Sequence, residues 1–126
     1  MPVETRIDKD SNLITYEATG DITLDDMRVA FEEVLSHTDF VRGMNALCIG
    51  KRSRLAISVA DVQKFIQLLS KYGDMRGRDY KMAILVERND DFGLSSLFEM
   101  GTHELPFEVR VFRKTAEANE WLGVSA

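Results

Sequence analysis

Three groups of basic residues each follow within two residues of an apolar run. Lys51, Arg52 and Arg54 come after Ala46-Leu47-Cys48-Ile49. Arg88 comes after Met82-Ala83-Ile84-Leu85-Val86, and Arg113 and Lys114 come after Val109-Arg110-Val111-Phe112. In an open parallel sheet, ligands bind beyond the carboxyl ends of the strands. If these runs are such strands, the cations share one rim, and helix N-termini at the same rim add partial positive charge. The chemistry that follows is the holding of an anion: a phosphoryl group, a carboxylate, a lipid headgroup or an acidic protein surface. The competing reading is that the cations pair with Asp25, Asp26, Asp61, Asp90 and Asp91, the acids that open the helices there.

Other reactive types are less suggestive. Ser58 stands three residues before Asp61, the spacing of a capping box. It is read first as an N-cap and second as a candidate phosphoacceptor, since a phosphate suits a helix N-terminus beside basic side chains. Cys48 lies inside an apolar run and reads as an inert core thiol. His37 and His103 lie at different helix ends, and no Cys/His/Asp spacing suggests a metal. No nucleophile elbow, phosphate loop or dinucleotide fingerprint occurs, and no acid/base pair has a recognisable spacing. Neither catalysis nor a cofactor is expected. Arg76-Gly77-Arg78 leads into an apolar run, falls at the opposite rim and reads as a solvated loop.

The net charge of −5 argues against broad nucleic-acid binding, which needs a basic face. The balance is uneven: residues 1–40 hold ten acids and three bases, residues 41–126 eleven acids and thirteen bases. An anionic partner would therefore meet the second part. A single cysteine forbids an internal disulfide and fits a reducing, cytoplasmic setting. Met1-Pro2-Val3-Glu4 shows no secretory signal, and no apolar run approaches the roughly 20 residues of a membrane span.

The elements that must position these residues alternate. Residues 5–8 and 13–19 read as a hairpin joined by Lys9-Asp10-Ser11-Asn12. Gly20-Asp21-Ile22 ends the second strand. Thr23 and Asp26 form a capping box ahead of Met27, Ala30, Phe31, Val34 and Leu35, an apolar stripe at helical spacing. Residues 46–49 and 81–87 read as strands covered on both faces. Between them Ser58 and Asp61 open a helix carrying Val62, Phe65, Ile66 and Leu69, with Gly73 as its left-handed C-cap. Asp90 or Asp91 is expected to cap a third helix bearing Leu94, Leu97 and Phe98. Residues 109–112 form the last strand. A short capped helix follows, too short to stand alone in water, and must be held by Ala118, Trp121 and Leu122, with the only tryptophan buried. The order β-β-α-β-α-β-α-β-α over residues 1–126 predicts one α/β domain with a single mixed five-stranded sheet.

This order, the Gly20-Asp21-Ile22-Thr23 approach to the first helix, and the closing Val109-x-Val111-Phe112 with Glu117-Ala118-x-x-Trp121-Leu122 resemble the SpoIIAA-like family. That is a group of small bacterial proteins of STAS-like fold, also described as STAS/SEC14-like. The resemblance implies a non-enzymatic binding or regulatory module. In the anti-anti-sigma relatives a serine opening the second helix is phosphorylated to switch off binding of a kinase partner. Ser58 occupies that position, but Ile57 replaces the acid that precedes it there. The reading from sequence is thus a module acting by protein–protein contact or by sensing a small anion at Lys51, Arg52, Arg54, Arg88 and Arg113, with Ser58 as a phospho-switch and a homodimer as one available assembly. The alternative is a SEC14-like carrier of a lipid or other apolar molecule. A carrier needs a cavity of roughly 300 Å³ or more, for which Met75, Met100, Phe92, Phe98 and Phe107 are the candidate lining.

Overall fold

The computed structural model describes residues 2–124. Its elements run β1 (Val3–Asp8), β2 (Leu13–Ile22), α1 (Leu24–Leu35), β3 (Asn45–Leu55), α2 (Val59–Lys71), α3 (Gly73–Arg76), β4 (Lys81–Val86), α4 (Asn89–Gly101), β5 (Glu108–Phe112) and α5 (Thr115–Leu122). The strands form one mixed sheet in the order β1-β2-β3-β4-β5. Only β1 is antiparallel to its neighbour; the other pairings are parallel. The predicted α/β architecture is therefore present, with α3 as one added helical turn.

Alternation along the strands sorts side chains onto two faces. On one face Ile14, Ala46 and Met82 pack with Phe31 and Val34 of α1, Val62 and Leu69 of α2, and Phe98 of α4. On the other, Leu13, Leu47 and Ala83 pack with Ala118 and Leu122 of α5. Three helices thus cover one face, and α5 alone folds back over the other. Trp121 is only half-buried, not core. Its ring lies 5.6 Å from that of Phe112, with the Lys81 and Arg110 cations at 5.2 and 5.3 Å. Lys81 Nζ donates to the Trp121 carbonyl at 3.0 Å, which ties the end of α5 to β4.

Local chemistry sets most boundaries. Thr23 and Asp26 form the reciprocal capping box of α1, and Ser58 and Asp61 that of α2. Three expected caps differ. Gly73 is no C-cap; Tyr72 ends α2, Gly73 opens α3, and the positive-φ glycine is Gly77 at φ 101°. Neither Asp90 nor Asp91 caps α4, whose N-cap is Arg88 without a side-chain bond. Asp91 instead turns inward, where it is 1% exposed, and its Oδ1 accepts the Leu55 N–H at 3.0 Å. The start of α5 likewise carries no side-chain cap, and Gly123 closes it in the left-handed conformation.

Candidate functional site

The basic rim is built differently from the sequence expectation. Lys51, Arg52 and Arg54 do not follow β3; they are part of it. Pairing of β3 with β4 ends at Gly50, whereas pairing with β2 runs on to Leu55. The two strands project as a parallel ribbon beyond the sheet. Two β2 steps, Glu17 to Thr19, face three β3 steps, Ile49 to Arg52, so β3 carries an extra residue. Such a bulge shifts the alternation by one. Cys48 and Gly50, then Ser53 and Leu55, face the helices, and Arg52 and Arg54 point to the other side.

Most of these cations are already engaged. Arg54 makes a two-pronged pair with Asp21, at 3.1 and 2.9 Å. This contact holds the Asp21 carboxyl below its usual range, with Arg88 adding to it. Arg88 Nη2 lies 3.8 Å from Asp90. Arg113 donates to the Glu87 carbonyl and to Asn89 Oδ1, with its guanidinium 4.5 Å over the Phe92 ring. Lys51 and Arg52 are exposed and make no ion pair among the described residues. Ser58 serves as the N-cap: its Oγ accepts from Asp61 N–H at 3.1 Å and its own N–H donates to Asp61 Oδ2. A phosphate on Ser58 would have to displace that carboxylate.

The feature that sequence reasoning placed wrongly is a cavity of about 150 Å³ between the sheet and α1, α2 and α4. It lies beneath α2, which is flanked by α1 and α4 while its Val62 and Leu69 reach the sheet face. Phe31, Phe65, Leu69, Met82, Ile84 and Phe98 line it, with Tyr16, Cys48, Ser53, Asp91 and Ser95 as the polar exceptions. Of the expected lining only Phe98 takes part. Met75 and Met100 are exposed, Phe92 lies under Arg113, and Phe107 stacks on Tyr80 at 4.6 Å. The volume is about half the expected one. Cys48 is a wall of this cavity, and burial pushes its thiol up to about 12. It offers no thiolate for chemistry near neutral pH.

Below the cavity, at the amino end of β3 and β4, lies a second unexpected group. Arg76 is 2% exposed, not solvated. Its guanidinium stacks 3.7 Å over the Tyr80 ring, and Nη2 donates to the Met44 carbonyl at 2.6 Å. Nη1 is buried without a hydrogen-bond partner. Burial lowers the Arg76 pKa, and no carboxylate pairs with it among the described residues. Only the neighbouring Gly77 and Tyr80 hint at this in the sequence: the first permits a sharp turn, the second offers a ring.

Among the described residues no helix is long and apolar enough to cross a membrane, and no group of three or more His, Cys, Asp or Glu is placed to hold a metal. The fold is similar to the crystal structure of an uncharacterized protein from the DUF3478 family with a SpoIIAA-like fold, from Shewanella loihica PV-4. The match has a TM-score of 0.59 at 17% identity and covers 95% of this chain and 91% of that one. At that identity the likeness is one of fold, which is SpoIIAA-like. No family model and no curated protein sequence matches the chain.

Proposed function

We propose that this SpoIIAA-like fold serves as a non-enzymatic binding module whose ligand is a small apolar molecule held between α2 and the sheet. The observation that carries this reading is the apolar cavity of about 150 Å³. Apolar cavities of about that volume stay dry and bind benzene-sized molecules. The space is partly open and its lining is almost wholly apolar, so a ligand that fills it is held by burial of apolar surface. The volume favours a single ring or short branched chain over a lipid.

Toluene is a suitable probe. It should bind saturably by calorimetry and raise the melting temperature. Cys48→Leu places a branched hydrocarbon into the cavity from its wall. This change should stabilise the protein by about 1 kcal/mol, a rise of roughly 3–6 °C, and weaken toluene binding by about tenfold or more. Absence of toluene binding to the wild type would refute the cavity reading.

A second reading concerns Lys51 and Arg52, the exposed cations of the rim without an ion pair. They are the part of the expected anion or partner site that stays available, whereas Arg54, Arg88 and Arg113 are engaged locally. Lys51→Glu with Arg52→Glu should abolish retention on a heparin column while leaving the melting temperature within about 2 °C, as surface changes usually do. Unchanged retention excludes this surface.

A further inference from the structure

Three buried polar side chains stand together in the cavity wall. Asp91, Ser95 and Ser53 are 1%, 3% and 9% exposed, and all three line the space. Asp91 and Ser95 are four residues apart on α4 and so share a helix face. Ser53 and Leu55 share a face of β3, and the Leu55 N–H is the donor that Asp91 Oδ1 accepts at 3.0 Å. The group therefore gathers where β3 runs on past its pairing with β4. Asp91 Oδ2 accepts from no protein donor among the described residues. It is not sealed in either, because Arg76 Nη1 is the one side-chain polar atom among them both enclosed and unpaired. Oδ2 thus borders open space although its residue is almost wholly buried, and the space that Asp91 lines is the cavity. The Ser53 and Ser95 hydroxyls are in the same position, with no protein partner and no enclosure. Gly50 leaves room for the first of them, since a Cβ there would lie 3.3 Å from Ser53 Oγ.

Building on the cavity reading, we infer that the ligand carries one hydroxyl group, as a phenol or a short branched alcohol does, with the hydroxyl donating to Asp91 Oδ2 and the apolar body filling the rest of the cavity. A carboxylate only accepts, whereas a serine hydroxyl both donates and accepts. A ligand hydroxyl answers both with one atom: its proton goes to Asp91, and its oxygen receives from Ser53 or Ser95. The bond to Asp91 is charge-assisted, the strong kind. A hydrocarbon leaves Oδ2 dry and unpaired, which is unfavourable, and an ether or ketone turns lone pairs toward it. An ammonium group is not called for. Asp91 stands in the first turn of α4, where the amino end of the helix already offsets its negative charge.

Phenol and toluene test this on the full chain near pH 7, since they differ only by a hydroxyl in place of a methyl group. Both should bind by calorimetry, and toluene should displace phenol, as ligands of one site do. Asp91→Asn keeps an oxygen for the Leu55 N–H and replaces Oδ2 by an NH2 group. It should weaken phenol by about fivefold or more while toluene changes by less than about twofold. Should that variant not fold, Ser53→Ala with Ser95→Ala should weaken phenol by about threefold or more and spare toluene. Toluene binding with a phenol affinity that falls no further than that of toluene in these variants overturns the hydroxyl assignment and leaves the cavity reading standing. Benzylamine binding more tightly than phenol overturns it in favour of a cationic ligand. Absence of binding by both phenol and toluene defeats the cavity reading itself.

Discussion

Replacing Gly77 by alanine is expected to cost about 3–5 kcal/mol, one of the largest single-residue effects in this chain. Gly77 has φ 101° and ψ −172°, a region that only glycine enters without strain, worth about 1–3 kcal/mol for another residue. The position is also crowded. A Cβ there would lie 2.9 Å from Gly43 Cα and 3.0 Å from Arg42 C, with Gly43 N nearer still. These are backbone atoms, so no rotamer change makes room, and the overlap adds a cost of about 1–3 kcal/mol. The contact cannot open freely either, because Gly43 N–H donates to the Arg76 carbonyl at 2.9 Å. Urea unfolding should show a lower midpoint with an unchanged slope. Gly20→Asn is the control. Gly20 also has positive φ, but its Cβ would meet nothing within 4 Å, and asparagine tolerates that conformation. A loss below about 1 kcal/mol in Gly77→Ala would show that the corner is not closed as described.

The contrast between Gly73 and Gly77 shows what local sequence can carry. Both follow a helical stretch, and Gly73 has the better C-cap spacing from sequence. The demand for a glycine arises at Gly77, from the approach of Gly43 in a distant loop. Tertiary contact, not helix termination, selects it. Asp91 behaves alike. Its type and position suit an N-cap, worth about 1 kcal/mol. Its carboxylate, itself buried, instead satisfies the part-buried N–H of Leu55, and leaving such groups unpaired costs about 1–3 kcal/mol. The two capping boxes, by contrast, were legible because each closes within four residues. The length of β3 was not. Lys51 to Arg54 look like a loop because β3 beyond Gly50 pairs only with β2 and leaves one edge open, so it needs no continuous apolar run.

The candidate site was less legible than the fold for a related reason. An apolar stripe such as Val62, Phe65 and Leu69 reads the same whether the residues fill the space below them or border a void. The space lies beneath α2 where α1 and α4 flank it, a packing relation that periodicity does not encode. Arg76 was hidden by its neighbours in sequence. Between Met75, which is exposed, and Arg78, also exposed, it looks like one more solvated cation. Only the fold brings Tyr80 and Met44 against it. The rim cations were found by position, but the bulge in β3 and the acids Asp21 and Asp90 decided which of them remain available.

Phe31→Ala should destabilise the protein by about 3–5 kcal/mol, the usual range for a buried phenylalanine, or roughly 10–20 °C in melting temperature. Phe31 is 3% exposed and stands at the centre of an aromatic cluster. Its ring meets Phe65 edge-on at 6.4 Å and Tyr72 at 5.8 Å. Those rings belong to α2 and its C-cap, so Phe31 is a main prop that holds α2 above the sheet. It also lines the cavity, and its loss adds the ring's volume to the existing void. Two outcomes are then separable. If α2 stays on α1 and α4, the variant holds an enlarged cavity, and naphthalene, too large for the wild type, should restore part of the lost stability. At a free concentration of 100 times Kd that recovery amounts to about 2.7 kcal/mol. If α2 collapses onto the sheet, the measured loss should fall toward the low end of the range and naphthalene should do nothing. The first outcome is expected, because α2 is held at both flanks by helices that themselves pack on strands. Naphthalene rescue in Phe31→Ala with none in the wild type would establish α2 as a roof over a preformed space. A loss near 1 kcal/mol without rescue would remove Phe31 from that role.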